Sequence, residues 1–279
     1  MTPVIGILSP GSMGSAIGAS LRSGGVRAVT TVAGRSERSA RFAADAGLEL
    51  AEDVDALVRA ADLILSVVPP SSARQVAQDL NASFARVGRR PLVADLNATS
   101  PATVAEIGSS LELIDGTISG PPPRPDGETR IYLSGPRAEM LASVEAPGIR
   151  WIVVGPEVGS ASAVKMCTAS VYKGMSALLA HAFLTAEHHG VAAHVLADVQ
   201  QLTPEALRQP IQAATKAWRF IGEMEQIAQT QKDAGLTPAL FDAIRDVYTE
   251  LASSAWGERN PEDVPATLDL SALKDLHPR

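Results

Sequence analysis

Near the amino terminus, Gly6-Ile7-Leu8-Ser9-Pro10-Gly11-Ser12-Met13-Gly14 sets small side chains between an apolar run and a stretch of helical spacing. A strand that turns tightly into a helix presents the first N–H groups of the helix together, and such donors hold a phosphate. Gly11 lets a pyrophosphate approach the backbone, and Gly14 lets helix and strand pack closely. Ser9 takes the place of the first glycine of such loops and narrows the dihedrals open to the turn. The candidate cradle for a dinucleotide is therefore Ser9, Gly11, Ser12, Met13 and Gly14. The competing reading is a plain strand–turn–helix whose glycines serve packing alone.

A second group lies where the next apolar run, residues 28–33, gives way to Gly34-Arg35-Ser36-Glu37-Arg38. Binders of NAD commonly place an acid at this point to hold the ribose 2′-OH. Here the first charged residue is arginine, and guanidinium forks suit a 2′-phosphate. Gly34, Arg35, Ser36 and Arg38 thus favour NADP, as NADPH, over NAD. Two alternatives stay open: the arginines lie on a solvated first helical turn, or Glu37 takes the acidic role.

The third group centres on a lysine. The chain holds five lysines against 19 arginines, so Lys165 in the apolar setting Ala163-Val164-Lys165-Met166-Cys167 stands out. On a helix it shares a face with Ala169, Tyr172, Lys173 and Ser176. An ammonium beside a carbonyl oxygen stabilises the alkoxide formed on reduction and then gives up its proton. Alcohol oxidation needs the neutral amine, against an ordinary lysine pKa near ~10.4, which burial or the nearby charge of Lys173 would lower. The bland alternative is a lysine whose stem snorkels along apolar surface. Cys167 reads as a small buried hydrophobe, and Trp218 and Phe220 as core or interface. Glu223 and Glu225 read as surface or dimer contacts, and His188-His189 as a cationic helix end rather than a metal site.

These groups need elements to position them. The 279 residues suit two domains. Short apolar runs at 4–8, 28–33, 63–68, 92–96 and 111–114 have the character of strands buried on both faces. Helical patterns at 12–23, 37–46, 52–59, 71–80 and 101–108 alternate with them. That order implies an α/β, doubly wound parallel sheet of Rossmann type. From Glu157 to about Ser254 the pattern is helical, and a proline-rich, loosely ordered tail is expected after Asn260. The expected domains are 1–157, binding NADP, and 158–279, all-helical, for substrate and dimerisation.

A net charge of −7 argues against a broad nucleic-acid-binding surface. The single cysteine excludes a disulfide within the chain and a cysteine-based zinc site, and no metal is expected. No apolar run approaches the ~20 residues of a membrane span. The first residues lack a basic stretch ahead of their apolar run, so a cytoplasmic location is expected.

Several of these segments together resemble a known family. Gly6 to Gly14, the turn Val67-Val68-Pro69-Pro70 and Asp95-Leu96-Asn97-Ala98-Thr99-Ser100-Pro101 resemble the β-hydroxyacid dehydrogenases, which share their first domain with 6-phosphogluconate dehydrogenase. Asp115-Gly116-Thr117-Ile118-Ser119-Gly120 is similar to that family's substrate-binding stretch. Gly155-Pro156-Glu157-Val158-Gly159, running on to Lys165, is similar to the glycine-led helix that carries its catalytic lysine. Ser162-Ala163-Val164-Lys165-Met166, Tyr172-Lys173-Gly174 and Gly120-Pro121-Pro122-Pro123-Arg124-Pro125 resemble a less characterised branch. Matches in one order along the chain are more specific than the glycine loop alone.

The resemblance implies a Rossmann domain, a long helix and a helical domain that forms a homodimer. It implies an NADP-dependent oxidoreductase acting on a CH–OH or C=O group of a small polar or anionic substrate. Lys165 would be the acid/base, Ser119 and Gly120 would hold substrate, and Val67, Val68, Pro69 and Asn97 would line the cofactor. Two departures qualify the roles. The family's asparagine one turn beyond the lysine is replaced at Thr168 and Ala169, which makes Tyr172 the candidate polar partner or proton donor and Lys173 a candidate substrate contact. Pro121, Pro122 and Pro123 lack N–H groups, so Arg124 is the candidate replacement donor, unless it is a solvated loop residue. The alternatives are an imine reductase, which shares the architecture but usually lacks the lysine, and a non-catalytic dinucleotide-binding protein.

Overall fold

The computed structural model describes residues 3–278. The chain divides into two compact units, one reaching to Lys165 and the other beginning at Met166. The division therefore falls inside a helix rather than at 157, where composition changes.

The first unit begins β1 (Val4–Leu8), α1 (Ser12–Ser23), β2 (Arg27–Thr31), α2 (Glu37–Asp45), β3 (Glu49–Ala51), α3 (Val54–Ala60) and β4 (Leu63–Ser66). It continues α4 (Ala73–Val87), β5 (Leu92–Asp95), α5 (Pro101–Gly108), β6 (Leu113–Ser119), β7 (Thr129–Ser134), α6 (Ala138–Ala142) and β8 (Ile149–Gly155). The eight strands form one sheet in the order β3-β2-β1-β4-β5-β6-β7-β8. Every neighbouring pair is parallel except β6 and β7. This is the doubly wound α/β arrangement that the alternation predicts.

Both faces of the sheet are covered, which explains the continuous apolar runs. Leu63 and Leu65 join Ile5, Ile7 and Ala94 in one core, while Ile64 joins Leu8 and Val93 in the other. Successive strand residues point to opposite faces, so a strand buried on both needs every position apolar. Helix starts are fixed locally: the side chains of Ser36, Asp53 and Ser100 accept N–H bonds from Ser39, Ala56 and Thr103. Each such cap stabilises its helix by ~1 kcal/mol.

The second unit contains most of α7 (Ser160–His188), then α8 (Ala192–Val199), α9 (Arg208–Ala214), α10 (Ala217–Asp233) and α11 (Ala239–Ala252). Phe183, Ile211, Met224, Ile227, Tyr248 and Leu251 form its interior. The tail is not loose, contrary to the sequence expectation. Leu270–Leu276 is a 3-10 helix, Leu273 and Leu276 are fully buried, and Trp256 Nε1 donates to the Ala272 carbonyl at 2.8 Å. Among the described residues no helix is long and apolar enough to cross a membrane.

Candidate active site

The glycine loop has the backbone that phosphate binding asks for. Ser9 has φ +69°, the left-handed conformation that a glycine adopts most easily. The chain thus makes the glycine turn without the glycine. A Cβ on Gly14 would lie 2.5 Å from the Ser9 carbonyl oxygen, so helix and loop approach more closely than any side chain allows. A Cβ on Gly11 would meet nothing within 4 Å, which leaves open space over the start of α1. Those features fit a dinucleotide pyrophosphate, with Ser12 and Met13 opening the helix. After β2, Gly34 has φ +69° and Ser36 caps α2, with Arg35 and Arg38 exposed on either side of that cap. Neither arginine has an ion-pair partner among the described residues, and Arg38 lies 5.5 Å from the Phe42 ring centroid.

At the carboxyl ends of β4, β5 and β6 the apolar interior gives way to a buried polar network. Asp95 accepts the Asn97 backbone N–H at 3.0 Å and its Nδ2 at 2.9 Å. Asn97 Nδ2 also donates to Ser66 Oγ, and its Oδ1 accepts the Val68 N–H at 2.6 Å. Asn97 therefore fixes the Val67-Val68-Pro69 turn to the sheet. Burial pushes the Asp95 carboxyl up to about 6; the Asn97 bonds oppose that rise, and the neighbouring charge of Asp115 adds to it.

Asp115 is the partner of Asp95 across β5 and β6 and is fully buried. Its Oδ2 accepts Ser134 Oγ, Gly159 N and Ser162 N at 2.8, 2.9 and 3.0 Å, and its Oδ1 accepts Ser162 Oγ at 2.7 Å. Ser134 Oγ accepts the Ala161 N–H at 3.0 Å. One carboxylate thus gathers the free N–H groups at the start of α7 and ties them to β6. One turn further on, Lys165 Nζ donates to the Ile118 carbonyl at 2.8 Å. The lysine is brought to the residue before Ser119, where β6 ends and Gly120 turns with φ +128°. Thr117, between Asp115 and Ser119 on their face of β6, is buried, and its hydroxyl has no hydrogen-bond partner among the described residues.

Other expected site residues are placed differently. The Lys173 ammonium is bonded to the Glu223 carboxylate and lies 4.6 Å from the Phe220 ring centroid. Both partners are nearly buried, so Lys173 is committed to an ion pair, and Glu223 is not a surface residue. Tyr172, the candidate polar partner or proton donor, is 76% exposed, and Cys167 is exposed rather than the buried hydrophobe the sequence suggests. Arg124 is exposed in the loop between β6 and β7, and its guanidinium makes no hydrogen bond or ion pair among the described residues. The missed residues are Asp95, Asp115, Ser134 and Ser162. The available signal is an acid that interrupts an apolar strand, at the end of β5 and within β6.

Residues 4–88 match the family described as NADP oxidoreductase, coenzyme F420-dependent, and residues 186–251 match a domain of unknown function, DUF1932. The first match falls in the sheet-bearing unit and the second in the helical unit. It is 28% identical over 179 residues to an uncharacterized 28.5 kDa protein of Methanothermus fervidus, covering 63% of this chain and 68% of that one. Among solved structures it resembles the conserved protein MTH1747, described as structurally similar to 3-hydroxyacid dehydrogenases. That match has 27% identity and a TM-score of 0.68, covering 89% of this chain and 96% of that one. A 3-hydroxyisobutyrate dehydrogenase of Mycobacterium tuberculosis matches at 21% identity and TM-score 0.68, over 98% of each chain. A reductive aminase of Aspergillus terreus matches at 17% identity and TM-score 0.55, over 99% of each chain. These last two share the fold.

Proposed function

We propose that this protein is an NADP-dependent oxidoreductase acting between a CH–OH and a C=O group of a small polar or anionic substrate. The observation that carries the reading is the Lys165 bond to the Ile118 carbonyl, which sets an ammonium beside Ser119 and Gly120 at the end of β6. A bound nicotinamide dinucleotide would supply or accept the hydride at the substrate carbon. Lys165 would do the proton work at the substrate oxygen. In reduction its ammonium hydrogen-bonds the carbonyl oxygen and transfers a proton as that oxygen gains the electron pair. In oxidation the neutral amine takes the hydroxyl proton. The Ile118 carbonyl accepts a hydrogen bond from Nζ and so positions it at the strand end.

The phosphate-side residues are the glycine loop, the Asn97-supported turn at Val67, Val68 and Pro69, and Gly34, Arg35, Ser36 and Arg38. The exposed, unpaired arginines support NADP over NAD. Imine reduction is less favoured because an ammonium beside the reacting atom suits oxygen chemistry. A homodimer is the assembly we propose: Val171, Met175 and Leu178 make an exposed apolar stripe along α7. A monomer by sedimentation at micromolar concentration would remove that part.

Parallel titration with NADPH and NADH, followed by cofactor fluorescence, tests the reading. Tight NADPH binding and weak NADH binding are expected. Binding of neither would remove the oxidoreductase reading.

A further inference from the structure

We infer that Arg130 is the residue that selects an anionic group on the substrate, an inference that rests on the proposed reading of Lys165 and Ser119. On β7, Arg130 is the direct partner of Ser119 on β6. Residues directly opposite in an antiparallel pair share a face, with Cβ atoms about 4.5–5.5 Å apart. Asp115, Thr117 and Ser119 lie on one face of β6, opposite Ser134, Tyr132 and Arg130 on β7. The bonds from Asp115 and Ser134 to Gly159, Ala161 and Ser162 show that this is the face on which α7 begins. Lys165, one turn along α7, meets β6 at the Ile118 carbonyl. Ser119 is therefore flanked by two cations, the lysine from the helix and the arginine from the neighbouring strand.

The charge of Arg130 is uncommitted. It is exposed and makes no hydrogen bond or ion pair among the described residues. Arg150, its partner on β8, lies 3.6 Å from the Glu128 carboxylate, so that acid, two residues before Arg130, is engaged with the other arginine. The segment after Gly120 cannot supply amide donors, because Pro121, Pro122 and Pro123 have none. A carboxylate at Ser119 thus has fewer amide donors to draw on, and a guanidinium fork matches its two oxygens. Arg124, the candidate by sequence, lies in a loop whose backbone is packed on Gly148: a Cβ there would come 2.0 Å from the Arg124 carbonyl oxygen. Arg130 has what Arg124 lacks, a register position beside Ser119.

The test uses the full chain saturated with NADPH or NADP, and calorimetric titration with glycolate, 3-hydroxypropionate and malate, each beside its amide. The wild type should bind at least one acid tenfold or more tightly than its amide. Arg130→Ala should abolish that preference, Arg130→Lys should keep part of it, and cofactor affinity should be unchanged in both. Wild-type protein with no acid preference overturns the inference, as does a preference that survives Arg130→Ala. Loss of the preference in Arg124→Ala but not in Arg130→Ala overturns it too. If the cofactor binds and only the acid preference fails, this inference alone is lost. If no dinucleotide binds, the oxidoreductase reading fails first.

Discussion

Two lysines on one helix have opposite circumstances. Lys165, in the sheet-bearing unit, donates a hydrogen bond to a backbone carbonyl beside a strand end. Lys173, in the helical unit, is neutralised by the buried Glu223 carboxylate and backed by the Phe220 ring. The carbonyl bond sets the first ammonium at the end of β6, beside Ser119. The buried carboxylate cancels the charge of the second, which makes that lysine structural. The same contrast runs through both units. Around the ends of β4, β5 and β6 buried polar groups fix two loops and a helix start, whereas in the helical unit buried polarity joins helices.

The largest expected effect comes from breaking the structural pair. Lys173→Met leaves Glu223 buried without its partner and should cost about 3–5 kcal/mol of stability. Adding Glu223→Leu should restore most of it, because a matched apolar pair removes the stranded charge. Lys165→Met should cost under ~1 kcal/mol, as its Nζ has part-exposed surroundings. Urea unfolding of the four proteins measures this; equal losses for the two lysines would erase the distinction.

A second expectation concerns pH. Asp95 titrates at about 6 in the folded chain, above an ordinary value near ~3.9. Proton binding therefore favours the folded state. The contribution is complete below about pH 4 and is lost as pH rises through about 6, amounting to about 3 kcal/mol. Asp95→Asn lacks this titration, so its stability relative to wild type should rise by about that amount between those limits. A gap that stays flat with pH would show that Asp95 ionises normally.

On the cofactor side, Arg35→Ala with Arg38→Ala should weaken NADPH binding by about 10–100-fold and leave NADH binding unchanged. Equal losses for both cofactors would point to general electrostatics instead. Smallest of all, Ser9→Gly should stabilise the fold by ~1 kcal/mol, since it relieves a left-handed backbone at a side-chain-bearing residue. A destabilised variant would mean that the serine side chain contributes more than the turn costs.

Much of the fold was legible because burial on both faces writes itself as unbroken apolar runs. The observed β1, α1 and α5 have the bounds read from sequence, at Val4–Leu8, Ser12–Ser23 and Pro101–Gly108. Elements that break that rule were missed or, like β6, read only at their start. In β7 the exposed Arg130 and half-buried Tyr132 alternate with buried residues, and in β6 an acid and a glycine interrupt the run. β3 has only three residues, and β8 follows no turn signal that was recognised. The tail packs through Leu270, Leu273 and Leu276 at the three-residue period of a 3-10 helix, which matches neither helix nor strand templates. In the site, the glycine loop and Lys165 were readable as local patterns. The Asp95 and Asp115 networks were not, because strand pairing alone brings Ser66, Asp95, Asp115 and Ser134 together.

The most direct test compares wild type with Lys165→Ala for NADPH oxidation over a panel of small carbonyl and imine substrates, with NADPH affinity measured alongside. Turnover of a carbonyl by the wild type, lost by a thousandfold or more in Lys165→Ala with NADPH affinity within about twofold, is the predicted result. Turnover that survives the substitution would contradict the role given to Lys165.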